Sequence, residues 1–121
     1  MRELLQIDTD VTGLINETAI AYGGGVHAKH RLMRYHDFFV DRIRPGERVL
    51  DIGSGNGAVA HSVATRSSAV VVGLDLNKDN VASARRMFPH SSLTFVVGEA
   101  PEDIPAERFD VVIMSNVLEH L

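Results

Sequence analysis

Between residues 46 and 121 short apolar runs alternate with stretches of helical spacing. Val49-Leu50-Asp51-Ile52 sets three apolar residues around one acid and reads as a buried strand. Gly53-Ser54-Gly55-Asn56-Gly57 then demands a tight turn, and residues 58–64 carry good helix formers with apolar positions at helical spacing. The unit repeats. Ala69-Val70-Val71-Val72-Gly73-Leu74 is the continuous apolar run expected of a strand buried on both faces. A helix from about Leu76-Asn77-Lys78-Asp79 to Phe88 follows, with Val81, Ala84 and Phe88 toward the sheet and Pro89 as its stop. Leu93–Val97 reads as a third strand and Phe109–Met114 as a fourth, and Ser115–Leu121 opens another helix.

The pattern is less periodic before residue 46. Leu4, Leu5, Ile7, Val11, Leu14 and Ile15 suit one or two short helices, Gly23-Gly24-Gly25 is a hinge or close-approach loop, and a helix is expected over 28–43 until Pro45-Gly46 ends it. The fold class that follows is α/β, a Rossmann-like doubly wound parallel sheet. Right-handed crossovers place the four strands in the order 3-2-1-4. Residues 1–44 form an N-terminal helical cap and 45–121 the ligand-binding α/β part. The fourth strand is left as a sheet edge with Val111, Val112 and Ile113 partly uncovered, which invites self-association.

Composition narrows the function more than the fold. The 121 residues carry a formal net charge of −4, which gives no support to a broad nucleic-acid or membrane surface. There is no cysteine, so disulfides and thiolate metal sites are excluded and a reducing, cytoplasmic setting is expected. Acids at Glu3, Asp8 and Asp10 with no long apolar run argue against a signal peptide or membrane anchor. Locally, 27–44 is basic (Lys29, Arg31, Arg34, Arg42, Arg44), which suits either a solvated helix face or a lid over the cleft.

The chemistry gathers at the strand ends. Gly53-x-Gly55-x-x-Ala58 formally satisfies the dinucleotide fingerprint, so a nicotinamide cofactor is one candidate. Asp51, two residues before the first glycine, would repel a pyrophosphate and would suit a cationic group. Asp75 ends the second strand about 20 residues beyond the glycines, where an acid accepts from ribose hydroxyls. Both candidate cofactors carry a ribose, so Asp75 does not choose between them.

The run hydrophobic-Leu50-Asp51-hydrophobic-Gly53-x-Gly55-x-Gly57 resembles the first motif of class I S-adenosylmethionine-dependent methyltransferases. Gly98-Glu99-Ala100 resembles their third-strand Gly-Asp-Ala element with a longer acid. Phe109-Asp110, followed by Asn116-Val117-Leu118-Glu119-His120-Leu121, is similar to the fourth-strand region of small-molecule members. The resemblance implies S-adenosyl-L-methionine as cofactor. It places Asp51, Gly53, Ser54, Gly55 and Gly57 at the glycine loop, Asp75 and Leu76 at the ribose, Glu99 and Ala100 at the adenine, and Ser115 and Asn116 beyond the fourth strand. His120 is the candidate catalytic base or substrate-positioning group, and no metal site is expected. The activity implied is methyl transfer to a small-molecule acceptor by in-line displacement. A chain stopping in the first turn of a helix reads as the cofactor-binding half of a longer enzyme, or as a cofactor-binding module without catalysis.

Overall fold

The computed structural model describes residues 1–5 and 35–114. Its elements in chain order are β1 (Glu3–Leu5), a helical stretch over 35–40, β2 (Arg48–Ile52), α1 (Ala58–Arg66), β3 (Val70–Asp75), α2 (Lys78–Met87), β4 (Leu93–Val97) and β5 (Val111–Ile113). All five strands run parallel in the order β1-β5-β2-β3-β4. The expected order of the four central strands is therefore found, read as β4-β3-β2-β5.

Two expectations are corrected at the amino end. Leu4 and Leu5 were to line a short helix, and instead they belong to β1. The last strand is also no edge: β1 pairs along β5 in the register Glu3↔Val111, Leu4↔Val112 and Leu5↔Ile113. Val111 and Ile113 are accordingly fully buried, and the self-association expected from an open β5 edge loses its basis. The tether is ionic. Arg2 grips Glu47 with two nitrogens, at 2.7 and 2.9 Å, and donates to Arg42 O at 2.8 Å. The Arg2 guanidinium holds Glu47 below the usual carboxylate range. Helical spacing and a three-residue strand cannot be told apart in so short an apolar stretch, because the deciding contact comes from the far end of the sequence.

The period of two along the strands divides the core into two faces. Val49, Val71, Val111 and Ile113 share one cluster with Val59, Ala60 and Val63 of α1 and Val81 and Ala84 of α2. Leu50, Val72 and Leu74 face the other way, with Phe109. Leu5, Phe39 and Ile43 join the first cluster, so residues 35–43 pack into the sheet's own core. α2 is capped by Asn77, whose side chain accepts from the amides of Asp79 (2.8 Å) and Asn80 (3.2 Å), and Arg85 and Arg86 lie in its last turn, favourable to the helix dipole.

The chain steps from β2 to β3 to β4 in one direction, and β5 then returns to the opposite side of β2. That reversal between β2 and β5 is the topological switch point, and in such sheets the ligand crevice lies outside the carboxyl ends of the strands there.

Candidate functional site

Asp51 is the penultimate residue of β2 and has Gly73 opposite it on β3 and Ile113 on β5. By parity its side chain belongs to the helix-covered face, under the glycine loop. It is wholly inaccessible, and neither carboxylate oxygen has a hydrogen-bond partner among the described residues. The buried Ser54 hydroxyl, within the loop, likewise has no partner among the described residues. Burial, with the Asp75 charge in support, pushes the Asp51 carboxyl up to about 8. A buried acid without a partner is far cheaper to hold neutral than ionised.

The loop itself is tied inward. Gly53 N–H and Ser54 N–H both donate to Leu74 O, at 2.8 and 3.0 Å, and Gly57 N–H donates to Ser54 O at 3.0 Å. Gly55 N–H donates to Asp75 Oδ2 at 2.7 Å. Gly57 sits at φ +86°, and a β-carbon there would lie 2.6 Å from the Phe95 ring, so this position requires glycine both for its backbone and for the close approach. A phosphate cradle works by presenting free amides. Here four loop amides are consumed by the protein, and two carboxylates stand beneath them.

Asp75 closes β3. Besides Gly55 N–H, its carboxylate accepts from Asn77 N–H at 2.8 Å and lies 3.5 Å from the Asn80 amide nitrogen. It therefore has a structural duty as well, clasping the glycine loop to the end of β3. Leu76 beside it is 69% exposed, an apolar surface next to an acid. Gly98, Glu99 and Ala100 follow β4. Glu99 is exposed, and its N–H donates to Asp103 Oδ2 at 2.9 Å. Ser115, Asn116 and His120 lie outside the described residues, as does most of the amino-terminal basic segment. Within its described part, His36 Nδ1 meets Ser62 Oγ of α1 at 2.7 Å, and burial followed by the Arg66 charge lowers the imidazole's pKa.

The structure thus gathers Asp51, the glycine loop and Asp75 at the mouth of β2 and β3. Two contributors escaped sequence reasoning. Asn77 carries a signal, an asparagine directly before a helix, but its backbone bond to Asp75 does not. Asp103 shows only its spacing of four from Glu99.

A family model described as a methyltransferase domain matches residues 49–121. Among curated relatives, the ribosomal protein L11 methyltransferase of Burkholderia multivorans is 31% identical over 113 residues, covering 93% of this chain and 36% of that protein. The chain therefore spans about a third of the length of such relatives. Among solved structures, a SAM-dependent methyltransferase from Thiobacillus denitrificans in complex with S-adenosyl-L-homocysteine aligns at a TM-score of 0.55 and 30% identity, covering 60% of this chain and 31% of that one. A second from Geobacter sulfurreducens, also in complex with S-adenosyl-L-homocysteine, aligns at 0.57 and 25%, covering 70% and 35%. The small-molecule acceptor expected from the fourth-strand motif is overturned by the curated relatives, which are named for a ribosomal protein. Among the described residues no helix is long and apolar enough to cross a membrane. With the glycine loop, the strand order and the family model in agreement, the chain belongs to the methyltransferase-domain family.

Proposed function

We propose that this chain forms the S-adenosylmethionine site of a methyltransferase. The observation that carries the reading is the inward-turned glycine loop over two carboxylates, Asp51 and Asp75. With its amides committed inward the loop leaves no phosphate cradle, and Asp75 at the crevice mouth repels a pyrophosphate and suits a ligand that brings hydroxyl groups. The bound cofactor supplies an electrophilic methyl group on a sulfonium, which a nucleophile takes in line. The residues of this chain bind and orient. Asp75 accepts ribose hydroxyls, Leu76 covers an apolar face of the nucleoside, and Glu99 and Ala100 meet the adenine edge. Fixing the reacting partners and excluding water is the protein's main contribution to such a transfer.

Calorimetric titration with S-adenosylhomocysteine and with NAD tests this. Saturable binding of the first and none of the second is expected, and the reverse preference would overturn the reading. A protein acceptor is favoured by the names of the relatives, both the L11 enzymes and a protein-L-isoaspartate O-methyltransferase. Transfer of labelled methyl to ribosomal protein L11 is the corresponding measurement. The lack of cysteine suits a reducing compartment such as the cytoplasm.

A further inference from the structure

The turn after β4 is more tightly built than its surface position requires. Asp103 accepts Glu99 N–H on Oδ2 at 2.9 Å and returns its own N–H to Glu99 O at 2.8 Å. Ile104 N–H donates to Pro101 O at 3.3 Å inside the same turn. Gly98 makes room for this arrangement. A β-carbon at residue 98 would collide with Asp103 Cβ and lie 3.0 Å from its Cγ, although the Gly98 backbone is not in the left-handed region. The glycine is therefore needed for the approach of Asp103 and not for its own φ. Ala100 and Ile104 anchor the turn against Leu50, Val72, Leu74 and Phe109.

The reciprocal pair leaves two groups uncommitted. The Glu99 carboxylate is exposed, and Ala100 N–H has no protein acceptor among the described residues. One acceptor and one donor on consecutive residues complement a heteroaromatic edge that carries an amino group beside a ring nitrogen. We propose that Asp103 is a positioning residue that holds the Glu99–Ala100 acceptor–donor pair in register for the adenine of the cofactor. The proposal rests on the cofactor reading above. Asp103 is exposed and, among the described residues, bonds only within its own turn, so it contributes little to global stability. Its removal loosens the spacing of two groups that must act together, and a site that reads an edge by hydrogen bonds loses discrimination first.

The test compares S-adenosylhomocysteine with S-inosylhomocysteine, whose base carries a carbonyl in place of the amino group and an N–H in place of the ring acceptor. Affinities are measured by calorimetry on the wild-type chain and on Asp103→Ala, Asp103→Asn and Gly98→Ala. The wild type should prefer the adenine ligand by about tenfold or more. Asp103→Ala should weaken that ligand by about tenfold while leaving the inosine ligand unchanged, with the melting temperature within about 3 °C of wild type. Gly98→Ala, which keeps the carboxylate and displaces it, should behave like Asp103→Ala. Asp103→Asn retains an oxygen acceptor and should recover most of the preference. An unchanged preference in Asp103→Ala, or a parallel loss for both ligands, overturns the proposal. A wild-type chain that binds neither ligand overturns the cofactor reading itself.

Discussion

Asp51 and Asp75 end neighbouring strands, and the protein treats their carboxylates in opposite ways. Asp51 is buried between Gly73 and Ile113, with both oxygens unbonded among the described residues. Asp75 lies at the mouth of the crevice and accepts from Gly55 N–H and Asn77 N–H, with the Asn80 amide nearby. The sealed acid lowers the stability of the empty chain once it must ionise. The bonded acid stabilises the empty chain and shapes the loop that a ligand must meet. Sequence position cannot separate these roles, because both are acids at the end of apolar strands. Partners separate them.

Replacing Asp75 should give the largest effect. Asp75→Ala should weaken binding of S-adenosylhomocysteine by about 3 kcal/mol, roughly 100-fold, through two lost charged hydrogen bonds. It should also lower the melting temperature, because Gly55 N–H and Asn77 N–H lose their acceptor. Titrations and melts on one preparation check both, and a loss of affinity with no loss of stability would show that the clasp contributes nothing. Asp75→Asn keeps one acceptor and should lose less on both counts.

Asp51 should be read through pH. Its carboxyl is raised to about 8 in the fold against 3.8 as the ordinary value, so the folded chain holds a proton that the unfolded chain has released. The favourable contribution is complete below about 4 and is lost progressively as pH rises to about 8. Melts of the ligand-free chain from pH 5 to 8.5 should show this decline in the wild type and a flatter profile in Asp51→Asn. Parallel profiles would mean that Asp51 is ionised and partnered in solution.

The two asparagines near Asp75 give smaller effects. Asn77→Ala should cost about 1 kcal/mol of stability by removing the cap of α2, read as a melting shift. It keeps the backbone N–H that Asp75 uses, so cofactor affinity should fall much less than in Asp75→Ala. Asn80→Ala, at the end of a 3.5 Å contact, should change stability by no more than about 0.5 kcal/mol. A larger shift at residue 80 would mean that the Asp75 network extends farther into α2 than the distance suggests.

The central sheet was legible because its signals are local. Val70–Leu74 is apolar at every ungapped position, the glycines punctuate residues 53–57, and Val81 and Ala84 recur at helical spacing and are buried as expected. The order of β2, β3, β4 and β5 followed from handedness alone. β1 was not legible, because its pairing with β5 and the grip of Arg2 on Glu47 join parts of the chain that sequence reading treats separately. The site divides in the same way. Asp51, the glycine loop and Asp75 were visible as types at positions, but the inward direction of the loop amides depends on Leu74 O and Asp75 coming alongside in space. Asp103 was invisible because an exposed acid in a turn has no pattern until its partner is known.

The pairing of β1 with β5 has a consequence for how the chain is made. Glu3 and Val111 are neighbours across a ladder but lie roughly a hundred residues apart along the chain, so joining them closes the longest loop among the described strands and is costly in entropy. β2, β3 and β4 each pair with a strand made shortly before or after, and can assemble as the chain leaves the ribosome. Residues 3–5 are made long before 111–113 and must wait for them. During synthesis Leu5 cannot pair until Ile113 arrives, so β5 is covered by the earliest-made of the described strands.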